Sequence, residues 1–183
     1  MITDAAQLPP SVDLHALIAL FYERSAELGR FSQQSPDQLP PDYRRLLAHH
    51  DHMTVTVENY HQSLVDVHVF RTRLDDNLYA REITLSRASD DRVVQYGIVR
   101  LNREFLKPHV WQEIVGEKIP LGRVLIQHDV LREVVLEKLW RVECAEALAR
   151  FLNVESETVV YGRTAMIFCD NEPAIELLEI VVA

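Results

Sequence analysis

The apolar positions of this chain follow two different periods. Behind Asp13, a residue type that caps helices, apolar residues recur at three- and four-residue intervals up to Gly29. This spacing predicts an amphipathic helix over residues 13–29. Further helices are predicted at Tyr43–His49, Met53–Tyr60, Phe105–Gly116, Leu121–Gln127 and Ala145–Phe151. From Val65 onward apolar and polar residues alternate instead, which predicts strands.

Six strands are predicted, and the connections between two pairs of them are short. The predicted strands are residues 65–69, 79–87, 93–101, 131–142, 158–169 and 174–182. The second and third strands, and the last two, are joined by turns too short for a parallel crossover. The sequence therefore predicts an α+β fold with a six-stranded, mainly antiparallel sheet.

Length and composition predict one globular domain. The 183 residues include 48% hydrophobic and 26% charged residues, which is close to globular averages. Residues 31–41 hold three prolines among Ser and Gln, which predicts a linker or surface loop. Residues 1–41 are therefore expected to form a helix-and-loop extension of the domain at residues 42–183. A monomer is the expected state, since no apolar stripe is left unassigned.

The charge of the chain restricts its partners. The formal net charge is −9, and a field of that sign repels nucleic acid and anionic lipid. The chain shows neither a secretory signal nor a transmembrane run, and its two cysteines form no CxxC pair. These features predict a cytoplasmic protein without nucleic-acid or membrane partners. An anionic small ligand would need a local pocket of arginines.

Four charged residues share a strand face with apolar residues. They are Arg81, Arg132, Arg163 and Glu179. Arg132, for example, is placed on one face with Val134, Leu136 and Trp140. Because an unpaired buried charge costs several kcal/mol, these positions predict a polar cavity beneath covering helices, suited to an anionic ligand. The alternatives are an internal Arg–Glu salt bridge, or charges near strand ends that reach water.

Other chemical signatures are weaker. The chain has no GxGxxG, Walker or GxSxG segment, and its five glycines leave little room for one. His49, His50 and His52 crowd around Asp51, but a polar turn between helices explains them better than a metal site. No metal or cofactor is predicted.

Several segments resemble motifs of the chorismate lyase family in their order and spacing. They are LL at 46–47, HMT at 52–54 with Glu58, YAREITL at 79–85, PLGRVL at 120–125, Arg132, and EP at 172–173 with Glu179. The resemblance covers roughly residues 43–182. It implies an antiparallel sheet with helices closing an internal cavity. It also implies a cofactor-independent lyase that removes pyruvate from chorismate to leave a hydroxybenzoate, most simply 4-hydroxybenzoate.

The resemblance also implies a set of site residues. Met53 and Leu121 would contact the ligand through backbone groups, and Arg81 and Glu179 through side chains. For catalysis, Arg81 would stabilise charge as the ether breaks, and Glu179 would contact the ring hydroxyl and relay a proton. A backbone N–H at Leu121-Gly122 would bind the ring carboxylate, and Arg132 the enolpyruvyl carboxylate. Glu176 is a rival for the acidic role, although strand alternation places it on the opposite face.

Two other functions remain open at this point. The first is a non-catalytic domain that binds small aromatic or carboxylic acids, since effector domains of some transcription regulators share this fold. The first 41 residues predict one amphipathic helix and are not basic, so no DNA-binding helix-turn-helix is expected there. The second is a small partner protein whose cavity is vestigial. Conversion of chorismate to hydroxybenzoate would indicate the lyase, and hydroxybenzoate binding without turnover of chorismate would indicate the binding domain.

Overall fold

A seven-stranded antiparallel sheet forms the centre of the molecule. The computed structural model describes residues 11–130 and 132–183. The strand order is β1-β5-β6-β7-β4-β3-β2, and every neighbouring pair is antiparallel. The strands are β1 Gly29–Gln34, β2 Val65–Asp75, β3 Leu78–Arg87, β4 Val93–Asn102, β5 Arg132–Cys144, β6 Val159–Cys169 and β7 Glu172–Val181. The predicted α+β class and antiparallel sheet are confirmed, but the strand count of six is wrong.

Helices cover both faces of the sheet. They are α1 Leu14–Ile18, α2 Pro41–Leu47, α3 Met53–His61, α4 Pro108–Val115, α5 Leu121–Gln127 and α6 Glu146–Leu152. Buried side chains of α2, α3, α4 and α5 pack on one face, which we call the cavity face. Buried side chains of α1 and α6 pack on the opposite face with Tyr96 and Ile98 of β4. Each face therefore has its own hydrophobic core.

The N-terminal region departs most from the prediction. Asp13 caps α1 as expected, since its side chain accepts from the backbone N–H groups of His15 and Ala16. The helix ends at Ile18 rather than near Gly29, because the chain turns to place Phe21 and Tyr22 against the guanidinium of Arg71. Residues 1–10 of the predicted extension lie outside the described residues.

The seventh strand lies in what the sequence suggested was the start of a linker. Residues Gly29–Gln34 form β1, which pairs with β5 at one edge of the sheet. The linker interpretation of residues 31–41 is therefore wrong, because β1, a 3-10 helix at Pro36–Gln38 and the start of α2 occupy it. An edge strand in which only Gly29 is fully buried needs no apolar alternation, so β1 lacks the usual signal.

A bulge in β5 reverses which side chains face the cavity side. Pairing with β6 shifts between Leu136 and Lys138, so Glu137 is an extra residue. Before the bulge, Val134 and Leu136 pack on the cavity face. After it, Trp140 packs with the core of the opposite face. The prediction that Arg132 and Trp140 share a face is therefore wrong, because alternation is broken between them.

Candidate ligand-binding site

A small cavity lies between the cavity face of the sheet and the first turns of α3 and α5. It holds about 40 Å³ as closed, and five of the six site residues implied by the resemblance line it. The polar lining residues are His52, Thr54, Arg81, Gln95, Arg163 and Glu179. A water needs about 10–15 Å³ of such volume, so the closed cavity has room for about three waters, whereas a benzene ring needs about 150 Å³. As closed, the cavity is therefore smaller than one known to hold an aromatic ring.

Arg81 is the unpaired charge of this cavity. Its side chain on β3 is fully buried at 0% exposure. One terminal nitrogen donates a long hydrogen bond of 3.3 Å to the carbonyl oxygen of Ile114, and Nε has no partner in the described part of the chain. Within residues 11–130 and 132–183, no carboxylate oxygen lies within 4.0 Å of this guanidinium. Burial lowers the pKa of Arg81, which expresses the cost of holding this charge away from water.

Glu179 is paired with Arg163 rather than with Arg81. The two residues lie opposite each other on β7 and β6, with Arg163 Nε 2.7 Å from Glu179 Oε2. The same guanidinium donates to the carbonyl oxygens of His49 at 2.9 Å and Asp51 at 3.0 Å. Arg163 therefore fixes the turn between α2 and α3 to the sheet. The internal salt bridge, which the sequence left open as an alternative, is present between Arg163 and Glu179. The formal charges of Arg81, Arg163 and Glu179 therefore sum to one positive charge.

Met53, Leu121 and Gly122 also line the cavity, at the beginnings of α3 and α5. Gly122 allows these helices to approach closely, because a Cβ atom there would lie 2.9 Å from Thr54 Oγ1. Arg123 of α5 also forms an ion pair with Glu58, which lies one turn after Thr54 in α3. Close approach and ion pair together hold both first turns over the cavity.

Arg132 lies outside this cavity, contrary to its predicted role as a second carboxylate contact. It lines a separate, open depression of about 600 Å³. Its Nε donates to His52 Nε2 at 2.5 Å, and His52 lines both spaces. Burial, together with the charge of Arg132, lowers the pKa of His52 to about 4, so the ring is a neutral acceptor at pH 7. His52 thus forms part of the wall between Arg132 and the cavity.

Glu176 lies on the opposite face of the sheet, as strand alternation predicts. Its Oε2 accepts from Arg100 Nε at 2.5 Å, and burial raises the pKa of Glu176. The cavity therefore contains Glu179 and not its rival.

Gln95 of β4 is a cavity residue that the sequence reasoning missed. Its side chain is 3% exposed, and its Oε1 atom has no hydrogen-bond partner within the described ranges. The available signal was strand alternation, because Gln95 shares a face with Gly97 and Val99, which also line the cavity. A neutral amide on an apolar face is a weaker signal than a charge there, because burying it costs less.

The structure describes neither a candidate metal centre nor a membrane span. Among residues 11–130 and 132–183, no group of three or more His, Cys, Asp or Glu side chains could hold a metal ion. Within the same ranges, no helix has both the length and the apolar character needed to cross a bilayer.

Comparison with solved structures identifies the fold. The effector domain of PhnF from Mycobacterium smegmatis aligns with a TM-score of 0.52 at 11% identity, over 72% of this chain and 87% of that one. Full-length PhnF aligns with a TM-score of 0.52 at 9% identity, over 71% of this chain and 63% of that one. A ligand-binding domain assigned to the GntR family of transcriptional regulators, from Bordetella bronchiseptica, aligns with a TM-score of 0.48 at 11% identity, covering 65% and 86%.

No family model matches the sequence, and no curated protein matches it. The structural similarities show a fold shared with the PhnF effector domain. At these identities the similarity concerns the fold alone, so the function is argued below from the cavity.

Proposed function

We propose that this domain binds a small organic anion with one carboxylate group, as a non-catalytic effector-binding domain. The observation that carries the proposal is the buried Arg81 guanidinium, whose Nε lacks a partner among the described residues. A buried charge without a counter-charge costs several kcal/mol. A ligand carboxylate supplies that counter-charge and accepts the bonds that Nε and the terminal nitrogens offer.

The charges of the cavity favour a monoanion. Arg163 and Glu179 neutralise each other, whereas Arg81 has no carboxylate oxygen within 4.0 Å among the described residues. Glu117, which accepts from Tyr79, acts on Arg81 only at longer range. Met53 and Leu121, the first residues of α3 and α5, line the same space. The shared fold with a domain described as the effector domain of PhnF supports binding over catalysis.

Isothermal titration with 4-hydroxybenzoate tests this proposal. We expect saturable binding to the wild type and loss of at least about tenfold in affinity in Arg81→Met, since a charge-assisted bond contributes about 1.5–3 kcal/mol. The matched control is Arg150→Met, which removes an exposed arginine of α6 that pairs with Glu146. Equal affinity in wild type and Arg81→Met, or no binding at all, would contradict the proposal.

A chorismate pyruvate-lyase is the second candidate. It is favoured by the location of Arg81 and Glu179 on one cavity, as the resemblance implies. The bond from Arg163 to Glu179 argues against it, because Glu179 Oε2 already accepts from Arg163 Nε instead of facing a substrate. Incubation with chorismate decides the matter: release of pyruvate and hydroxybenzoate that depends on Arg81 would favour the lyase. Hydroxybenzoate binding without turnover of chorismate would favour the effector-binding domain.

A further inference from the structure

Two buried polar atoms of the cavity have no hydrogen-bond partner within residues 11–130 and 132–183. One is the donor Arg81 Nε, and the other is the acceptor Gln95 Oε1. Both side chains line the same cavity, and their exposed fractions are 0% and 3%. An acceptor in this position loses its bonds to water without replacing them, which is unfavourable unless another molecule donates to it.

These two atoms belong to opposite ends of the cavity floor. Arg81 of β3 lies opposite Val99 of β4, and Gln95 lies four residues from Val99 along β4. At about 3.3 Å per residue, the backbone positions of Val99, opposite Arg81, and of Gln95 lie roughly 13 Å apart along β4. The side chains extend from those levels into a common space, so a molecule that reaches both must be elongated.

Between the two ends, the cavity floor has few free polar groups that a ligand could bind. Ile83 and Gly97 lie at the intermediate level, where a Cβ atom on Gly97 would lie 3.3 Å from the carbonyl oxygen of Leu178. Arg163 and Glu179 also line this level, but they bond to each other. The middle of a bound molecule would therefore contact an apolar surface beside a neutralised ion pair.

We infer that Gln95 is a specificity-determining residue that accepts a hydrogen bond from the far end of the ligand. The ligand class is then an elongated monocarboxylate that carries a hydroxyl group at the end remote from its carboxylate. This inference rests on the proposed function, since Arg81 must hold the carboxylate. Gln95 adds the requirement for a remote donor, because Glu179 Oε2, the charged acceptor of the cavity that could also meet a hydroxyl, already accepts from Arg163.

Matched pairs of aliphatic acids test the inference directly. We use hexanoate and 6-hydroxyhexanoate, which differ only by the terminal hydroxyl, and measure both affinities by calorimetry. The wild type is expected to bind 6-hydroxyhexanoate about tenfold more tightly than hexanoate, because hexanoate leaves the buried acceptor unpaired. In Gln95→Leu the preference should fall to within about twofold, while the affinity for hexanoate is kept or improved.

Control variants keep the outcome interpretable. Gln33→Leu removes an exposed amide on the edge strand β1 and should retain the preference of the wild type. Gln95→Met, which keeps the length of the side chain, replaces Gln95→Leu if circular dichroism shows that the latter does not fold. Arg81→Met should lose affinity for both acids by a similar factor.

Each result has a distinct meaning. Equal binding of both acids that still depends on Arg81 would overturn the role of Gln95 and leave the proposed function standing. A preference that persists in Gln95→Leu would show that another group reads the hydroxyl, and would also overturn it. Failure of the wild type to bind either acid would contradict the proposed function together with this inference.

Discussion

Charged side chains on apolar strand faces carry most of the information at the scale of single residues. Strand alternation alone placed Arg81, Arg163 and Glu179 on one buried face, and the structure places all three on one cavity. It could not tell which arginine meets the carboxylate, because that depends on the register between strands. The register sets Arg163 opposite Glu179 and leaves Arg81 unpaired among the described carboxylates.

Removal of Arg163 tests this assignment of partners. Arg163→Met leaves the Glu179 carboxylate, 7% exposed, without its cation and releases the carbonyl oxygens of His49 and Asp51. Breaking a buried pair in this way costs about 3–5 kcal/mol of unfolding free energy. Urea denaturation measures the loss, and the exposed variant Arg150→Met should stay within about 0.5 kcal/mol of the wild type. A loss below about 1 kcal/mol would mean that the pair contributes little.

At the scale of elements, the predictable parts are those with a strong apolar period. Strands β3, β4, β6 and β7 lie within about two residues of their predicted ranges, because each is a largely buried run bounded by a short turn. Strand β1 was missed because it is a polar edge strand. The bulge in β5 was missed because one extra residue leaves no mark in composition. The bulge does not displace Arg132, which precedes it; Arg132 is the first residue of β5 and lines the neighbouring open depression.

The contact between α3 and α5 controls access to the cavity, and Gly122 tests it. Gly122→Ala would place Cβ 2.9 Å from Thr54 Oγ1, so the two first turns must separate. We expect a loss of about 1–3 kcal/mol in unfolding free energy from overpacking, with a changed affinity for 4-hydroxybenzoate.

A second substitution and a control distinguish the steric clash with Thr54 from the general effect of replacing a glycine by alanine. Thr54→Ala removes the clashing hydroxyl, so the double variant should lose less than Gly122→Ala alone. Gly116→Ala, at the exposed end of α4 with φ −69°, should change the unfolding free energy by no more than about 1 kcal/mol. Additive losses in the double variant would show that the two first turns do not press on each other.

At the scale of the whole molecule, the sign of the charge is opposite inside and outside. The chain has a formal net charge of −9, whereas its cavity has one uncompensated guanidinium. The sequence predicted this contrast and the α+β class, because both follow from composition and period. It could not predict a cavity of only about 40 Å³, since that volume depends on how closely the helices approach the sheet.

Arg81 holds a buried charge that serves a ligand and lowers the stability of the domain without it. Urea unfolding with and without 4-hydroxybenzoate measures both the cost in stability and the gain on binding. Without ligand, Arg81→Met should be more stable than the wild type by about 1–3 kcal/mol, since it removes an unpaired buried charge. With ligand at 100 times the dissociation constant of the wild type, the wild type should gain about 2.7 kcal/mol, and the variant, which binds at least about tenfold more weakly, no more than about 1.4 kcal/mol. A variant that is less stable than the wild type, or equally stabilised by the ligand, would contradict the account.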